Sequence, residues 1–249
     1  MKTIAVIPAR MGSSRFPGKP IAKILGRPMI EHIYKRVAMS KSLDATYIAT
    51  CDEEIRQVAE SFGAPVIMTA HTHERASDRV AEAVAHLDTE LVVMVQGDEP
   101  MTHPDMIDTA VAPFKDDPHL GCVNLVHKIA HEADYLDPNT IKVVMNQQGD
   151  ALYMSRRPIP TLAKTGFADT AAYKQVCIIP FRTATLFQYT RLSPTPLEQL
   201  ESVDMLRLLE HGYRVKMVPT EFNTQAVDTE ADLARVAKLM ETDPLLSRY

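Results

Sequence analysis

Apolar residues gather into short, unbroken runs in the first part of the chain. Thr3–Pro8 is rich in β-branched residues, Leu91–Val95 is wholly apolar, and Thr46–Thr50 and Pro65–Thr69 share that character. Runs of this length without alternation predict strands buried on both faces. Between them the period changes. Pro28–Ala38 sets Met29, Ile30, Ile33 and Val37 at helical spacing. Asp52–Phe62 opens on acids and ends at Gly63, and Ser77–Leu87 forms the next segment. Each predicts a helix, and the leading acids suit the positive end of a helix dipole. Strand and helix in alternation predict a mostly parallel sheet covered on both faces.

Past about Leu120 the pattern is different. Thr140–Asn146 and Ala151–Ser155 predict a hairpin turning through Gln147–Asp150. Tyr173–Phe181 reads as another strand, Pro196–Glu210 as a helix, Arg214–Val218 as a late strand and Asp232–Met240 as a closing helix. There is no repeat, low-complexity tract or linker. The expectation is an α/β fold: one doubly wound domain over 1–249 with a smaller antiparallel insertion at about 120–190.

Composition narrows the functional classes. Hydrophobic residues make up 45% and charged residues 24%, as in ordinary globular proteins. No apolar run approaches the roughly 20 residues that span a bilayer, and the first run lacks a signal-peptide plan. The expected location is cytoplasmic, with no membrane partner. A formal net charge of -5 without a basic block gives no footprint for nucleic acid. Cys51, Cys122 and Cys177 are scattered with no C-x-x-C pair, which argues against a disulfide framework or a structural zinc site. His71-x-His73 is the one close histidine pair and reads as a polar loop before a helix.

Candidate chemistry lies directly after the first strand. In Pro8–Pro20, Gly12 and Gly18 allow tight turns and close approach, while Arg10, Arg15 and Lys19 supply three cations. Exposed backbone N–H groups among such cations suit an anion, at the strand end where parallel sheets bind ligands. The loop is neither a Walker A motif nor G-x-G-x-x-G: five residues separate the glycines, and Pro20 follows the lysine. Asp98, just beyond Leu91–Val95, stands where a metal carboxylate would sit, and Asp228 follows the late strand.

Ile7–Arg10 with Ser14–Pro20 resembles the signature loop of the 3-deoxy-manno-octulosonate (Kdo) cytidylyltransferases, or CMP-Kdo synthetases. Gly26–Ile30, Val95–Pro100, Tyr153–Arg156 with Ile159-Pro160, and Val227–Thr229 with Asp232-Leu233 extend the likeness over nearly the whole chain. The resemblance implies a nucleotide-diphospho-sugar transferase type of Rossmann-like sheet. It also implies CTP as donor, Mg²⁺ held by Asp98 and Asp228, and a homodimer formed through the segment after Leu120. It places the nucleotide at Ala9, Arg10, Gly12, Ser13, Arg15, Lys19, Ser77, Arg79 and Asp98, with Lys19, Arg10, Asp98 and Asp228 as the catalytic groups.

The departures fall on the acceptor side. By resemblance Gln96 and Arg156 meet the acceptor's acid end, with Arg157 a further cation. In the segment His73–Arg79, Arg75 and Ala76 replace the family's Ser and Gly. Its acceptor-binding His and Tyr correspond to Gln175 and Ile179, and its Glu-Gln pair to Asp204-Met205. Ile179 and Met205 have no group to pair with a sugar hydroxyl, and an unpaired buried hydroxyl costs about 1–3 kcal/mol. The resulting expectation is CMP transfer to a small acid, a phosphonate such as phosphonoformate ahead of Kdo, with Arg75, Arg156 and Arg157 suiting a doubly charged acceptor. The alternatives are CMP-Kdo synthesis, or transfer to a modified ulosonic acid, and a non-catalytic nucleotide sensor.

Overall fold

The computed structural model describes residues 1–12 and 15–249. The chain forms two compact units, one comprising Met1–Asp108 with Thr224–Tyr249, the other Thr109–Asn223.

In the first unit β1 (Thr3–Ala9) leads through the loop to a small hairpin, β2 (Lys23–Ile24) with β3 (Arg27–Pro28), and α1 (Met29–Val37). There follow β4 (Ala45–Thr50), α2 (Glu53–Ser61), β5 (Val66–Met68), α3 (Ala76–Val84) and β6 (Leu91–Val95). Within this unit the strands lie in the order β6-β1-β4-β5 and all run parallel. Every residue of β6 is buried, and so are Ile4–Ile7 of β1, as the unbroken apolar runs require. Parallel pairing puts the carboxyl ends of β1, β4, β5 and β6 along one edge, where Arg10, Cys51, Thr69 and Gln96 leave their strands.

Helix α4 (Pro104–Val111) spans the boundary at Asp108. The second unit contains α5 (Pro113–Asp116), β7 (Val123–Lys128), α6 (Glu132–Leu136), β8 (Lys142–Met145) and β9 (Ala151–Ser155). After these come β10 (Tyr173–Val176), β11 (Ile178–Arg182), α7 (Thr183–Arg191), α8 (Pro196–Glu201), α9 (Met205–Glu210) and β12 (Lys216–Pro219). Its sheet has the order β12-β7-β10-β8-β9, antiparallel except for β12 beside β7. The chain then returns to the first unit and ends in α10 (Glu230–Met240) and a 3₁₀ turn at Pro244–Arg248.

Three expectations change. The strand expected over Tyr173–Phe181 is two strands parted at Cys177; only β10 is paired with β7 and β8. The helix expected over Pro196–Glu210 is α8 and α9. A capping box at Thr195 and Glu198 starts α8, and Ser202 ends it in a left-handed conformation at φ 53. The late strand belongs to the second unit's sheet, so Asp228 is positioned by the return segment and not by a strand of the parallel sheet.

Candidate active site

In the first unit four of the expected groups converge. The Lys19 ammonium lies 3.2 Å from Oδ2 of Asp98 and 3.2 Å from Oδ1 of Asp228. Arg15 reaches the same Asp228 oxygen at 3.0 Å. The backbone explains the meeting. The N–H of Val227 donates to the carbonyl of Asp98 at 2.8 Å, which sets Asp228 beside Asp98. Thr229 and Asp232 form a capping box that starts α10 and fixes the next residues. Gly97 sits so close to β1 that a Cβ would stand 2.9 Å from the carbonyl oxygen of Pro8, so a side chain there would push Asp98 away. Lys19 is carried on a 3₁₀ turn after Gly18, whose φ of 73 only glycine adopts cheaply.

The loop is tied down by a residue with no expected role. The N–H of Met11 donates to Oδ2 of Asp52 at 2.8 Å, and the N–H of Gly18 to the carbonyl of Met11 at 3.2 Å. Asp52 occupies the N-cap position of α2, yet its side chain makes no capping bond there. In sequence it reads as an ordinary helix start, and that is why it was missed.

The other positions expected to meet the nucleotide are distributed as follows. Ala9 is buried at the end of β1, and Arg10 and Gly12 are exposed just beyond it. Ser13 lies outside the described residues. Ser77 and Arg79 are buried on α3. Arg79 donates to Oγ1 of Thr69 at 2.5 Å and to the carbonyl of Ala70 at 3.4 Å, bracing the segment after β5. Arg75 stands at the N-cap position of α3, half-buried, and Gln96 half-buried just past β6.

Two paired carboxylates make Asp98 and Asp228 a suitable holder for a hard cation such as Mg²⁺. Both are partly exposed, at 23% of the side chain, and their shared contact with one ammonium shows that the pair draws a cation.

The positions of the second unit expected to meet the acceptor are bound into its frame. Arg156 donates through Nε to the carbonyl of Glu201 at 2.7 Å, and through its terminal nitrogens to the carbonyls of Pro138 and Ser202. Arg157 is exposed. Gln175 donates to Oδ1 of Asn124 at 2.6 Å. Ile179 and Met205 are buried, and the Met205 sulfur lies 3.8 Å from that of Cys122. Asp204 is half-buried immediately before α9.

Two supports of this unit had no sequence signal. Glu201 accepts from Oγ of Ser155 at 2.7 Å, the N–H of Arg156 at 2.8 Å and the hydroxyl of Tyr153 at 3.1 Å. Burial works to raise its pKa, but the bonds from Arg156, Ser155 and Tyr153 outweigh it and hold the carboxyl below its ordinary value. Lys142 is fully buried and donates to the carbonyls of Asp137, Thr140 and Arg156, while burial pushes its pKa down to about 8.

A family model described as Cytidylyltransferase matches residues 4–218. The 3-deoxy-manno-octulosonate cytidylyltransferase of Geobacter metallireducens is 41% identical over 247 residues, covering 96% of this chain and 97% of its own. That of Pelobacter propionicus is 43% identical over 244 residues, covering 94% and 96%. Among solved structures, a CMP:2-keto-3-deoxy-manno-octonic acid synthetase complexed with CTP matches with a TM-score of 0.90 at 38% identity, over 97% of this chain and 99% of that one.

Proposed function

The chain belongs to the cytidylyltransferase family, and we propose that it transfers CMP from CTP to the 3-deoxy-octulosonic acid type of acceptor, releasing pyrophosphate. The observation that carries this reading is the convergence of Lys19, Asp98 and Asp228 beside the loop after β1.

Reaction at the α-phosphorus of CTP requires that charge on the phosphoryl oxygens be neutralised while an acceptor oxygen attacks in line. Lys19 supplies a fixed ammonium for those oxygens, positioned by the two carboxylates and by the turn at Gly18. Arg10 and Arg15 serve the leaving pyrophosphate. Asp98 and Asp228 would hold Mg²⁺, which when bound supplies charge neutralisation at the phosphates. The acceptor hydroxyl needs no Ser/His/Asp machinery in this scheme, since its loss of a proton is eased by the same positive field. Ala9, Ser77 and Arg79 are the side of the loop and helix α3 that would meet the cytosine. The chain acts as a homodimer in the cytoplasm.

The choice of acceptor rests on likeness at about 40% identity along the full length, shared by relatives whose names all specify 3-deoxy-manno-octulosonate. The small phosphonate favoured by the acceptor-side residues has no counterpart among them, so the ulosonic acid takes precedence. One observation keeps a second reading open for test: Ile179 and Met205 offer no polar atom where the family pattern has Tyr and Gln. A less hydroxylated ulosonic acid would suit these two positions. Pyrophosphate release with CTP and Mg²⁺ should be compared across Kdo, deoxygenated ulosonic acids and phosphonoformate. Turnover of Kdo at a kcat/KM well above the others supports the proposal; turnover confined to phosphonoformate sinks it.

A further inference from the structure

Among the described residues, one group outside the phosphate loop gathers ligand atoms suited to a different metal. Cys51, Asp52 and His71 each direct one ligand atom into a cluster whose members all lie within 4.8 Å of one another. The topology explains it. Strands β4 and β5 are parallel neighbours, with Thr50 opposite Met68. The residues that leave their carboxyl ends, Cys51 and Asp52 on one side and His71 on the other, are therefore brought together. A spacing search along the chain cannot see this, since the ligands come from two strand ends, form no C-x-x-C pair and take only the first histidine of His71-x-His73.

We propose that this cluster is a binding site for a single borderline-soft divalent cation, Zn²⁺ in first place. A thiolate and an imidazole select zinc-like ions and leave Mg²⁺ to all-oxygen sites. In a tetrahedral zinc site, ligand atoms stand about 3.5 Å apart, as follows from Zn–S and Zn–N bond lengths. The cluster therefore has to close by about 1 Å. The means is present: Cys51 is buried and fixed, its thiol 3.7 Å from Oδ2 of Asp52, whereas His71 is exposed in the turn after β5. His73 belongs elsewhere, being hydrogen-bonded to Glu82. Three protein ligands leave a fourth position for water, the arrangement of an exchangeable site. Binding converts the Cys51 thiol to thiolate and releases its proton to solvent. The same Asp52 oxygen accepts from Met11, which places the cation one residue from the phosphate loop.

Cobalt(II) gives a direct readout, because a thiolate ligand produces a charge-transfer band in the near ultraviolet. The full chain should be titrated with Co²⁺ in excess Mg²⁺, and the bound ion then displaced with Zn²⁺. The expected result is one equivalent with the band, lost in Cys51→Ser, weakened at least tenfold in affinity in His71→Ala, and kept in Cys177→Ser and Asp98→Asn. No band in the unaltered chain, a band that survives Cys51→Ser, or His71→Ala binding as tightly as the unaltered chain would each overturn the proposal. His71 is exposed, so its variant keeps the test decisive even where Cys51→Ser fails to fold.

Discussion

Lys19 donates to Asp98 at 3.2 Å although 79 residues separate them. The contact joins the loop after β1 to the turn after β6, two strands that are parallel neighbours. With Asp228 also 3.2 Å from the same ammonium, the lysine is held by groups from two distant stretches of sequence. A flexible side chain held in this way loses little freedom when phosphate arrives, which favours rate as well as affinity.

Replacing Lys19 with Met should therefore lower kcat by about 10²–10³-fold, the usual effect of losing one fixed charge-stabilising donor. Lys19→Arg should recover little of it, since the planar guanidinium does not reproduce a compact ammonium between two carboxylates. Steady-state pyrophosphate release with both variants checks this. Circular dichroism spectra matching the unaltered chain would show that the loss is local.

Asp52 holds the loop without belonging to the transfer machinery. Asp52→Ala leaves the N–H of Met11 without its acceptor and should raise KM for CTP severalfold while kcat changes less. A fall in kcat at unchanged KM would mean that Asp52 acts on the reacting groups instead.

The first unit carries a proton-sensitive anchor. Nε2 of His32 lies 2.8 Å from the carbonyl of Ile24, which can only accept, so that nitrogen carries the proton. Nδ1 then accepts from the hydroxyl of Tyr249 at 2.9 Å, and that oxygen accepts from Nε of Arg36 at 3.0 Å. Burial lowers the pKa of His32, and Arg36 and Arg27 add to the effect. A lowered folded value means that stability is full above the unfolded value of about 6.5 and is lost as pH falls through the folded one. Denaturant midpoints should therefore decline below about pH 6.5. Tyr249→Phe should cost about 1–2 kcal/mol at pH 7, as expected for one part-buried hydroxyl bonded to both a ring nitrogen and a guanidinium. An unchanged midpoint in Tyr249→Phe would contradict the anchor.

Glu201 gives the second unit a different acid limit. Its folded pKa is held down, so the stabilisation it brings is complete above the unfolded value of about 4.3 and vanishes as pH falls through the folded value. Glu201→Gln keeps the shape but loses the charge on which Tyr153, Ser155 and Arg156 converge. It should destabilise by about 1–3 kcal/mol at pH 7 and by much less at low pH. Urea unfolding at both pH values measures the difference, and an equal loss at the two would count against a charge-based role.

The parallel strands were legible because burial on both faces leaves an unmistakable apolar run, as in Leu91–Val95, which matches β6 residue for residue. The second unit was harder. Val123–Lys128 mixes Asn, His and Lys with its apolar residues and was not seen as a strand. Ser202 breaks a helix that propensity alone would continue, at the point where Glu201 turns to bind β9 and the residue after it. The site's cations and Asp98 were visible as types beyond strand ends, and Asp228 as part of the Val227–Thr229 segment. What sequence could not show was their convergence, because the Val227-to-Asp98 bond is made by backbone atoms common to every residue.

Phosphorus NMR of the full chain incubated with CTP, Mg²⁺ and Kdo is the most direct test of cytidylyl transfer to an ulosonic acid. The expected spectrum shows loss of CTP with matched growth of pyrophosphate and of a CMP phosphodiester, all absent without Kdo. Persistence of CTP, or its conversion to CDP and orthophosphate, would contradict it.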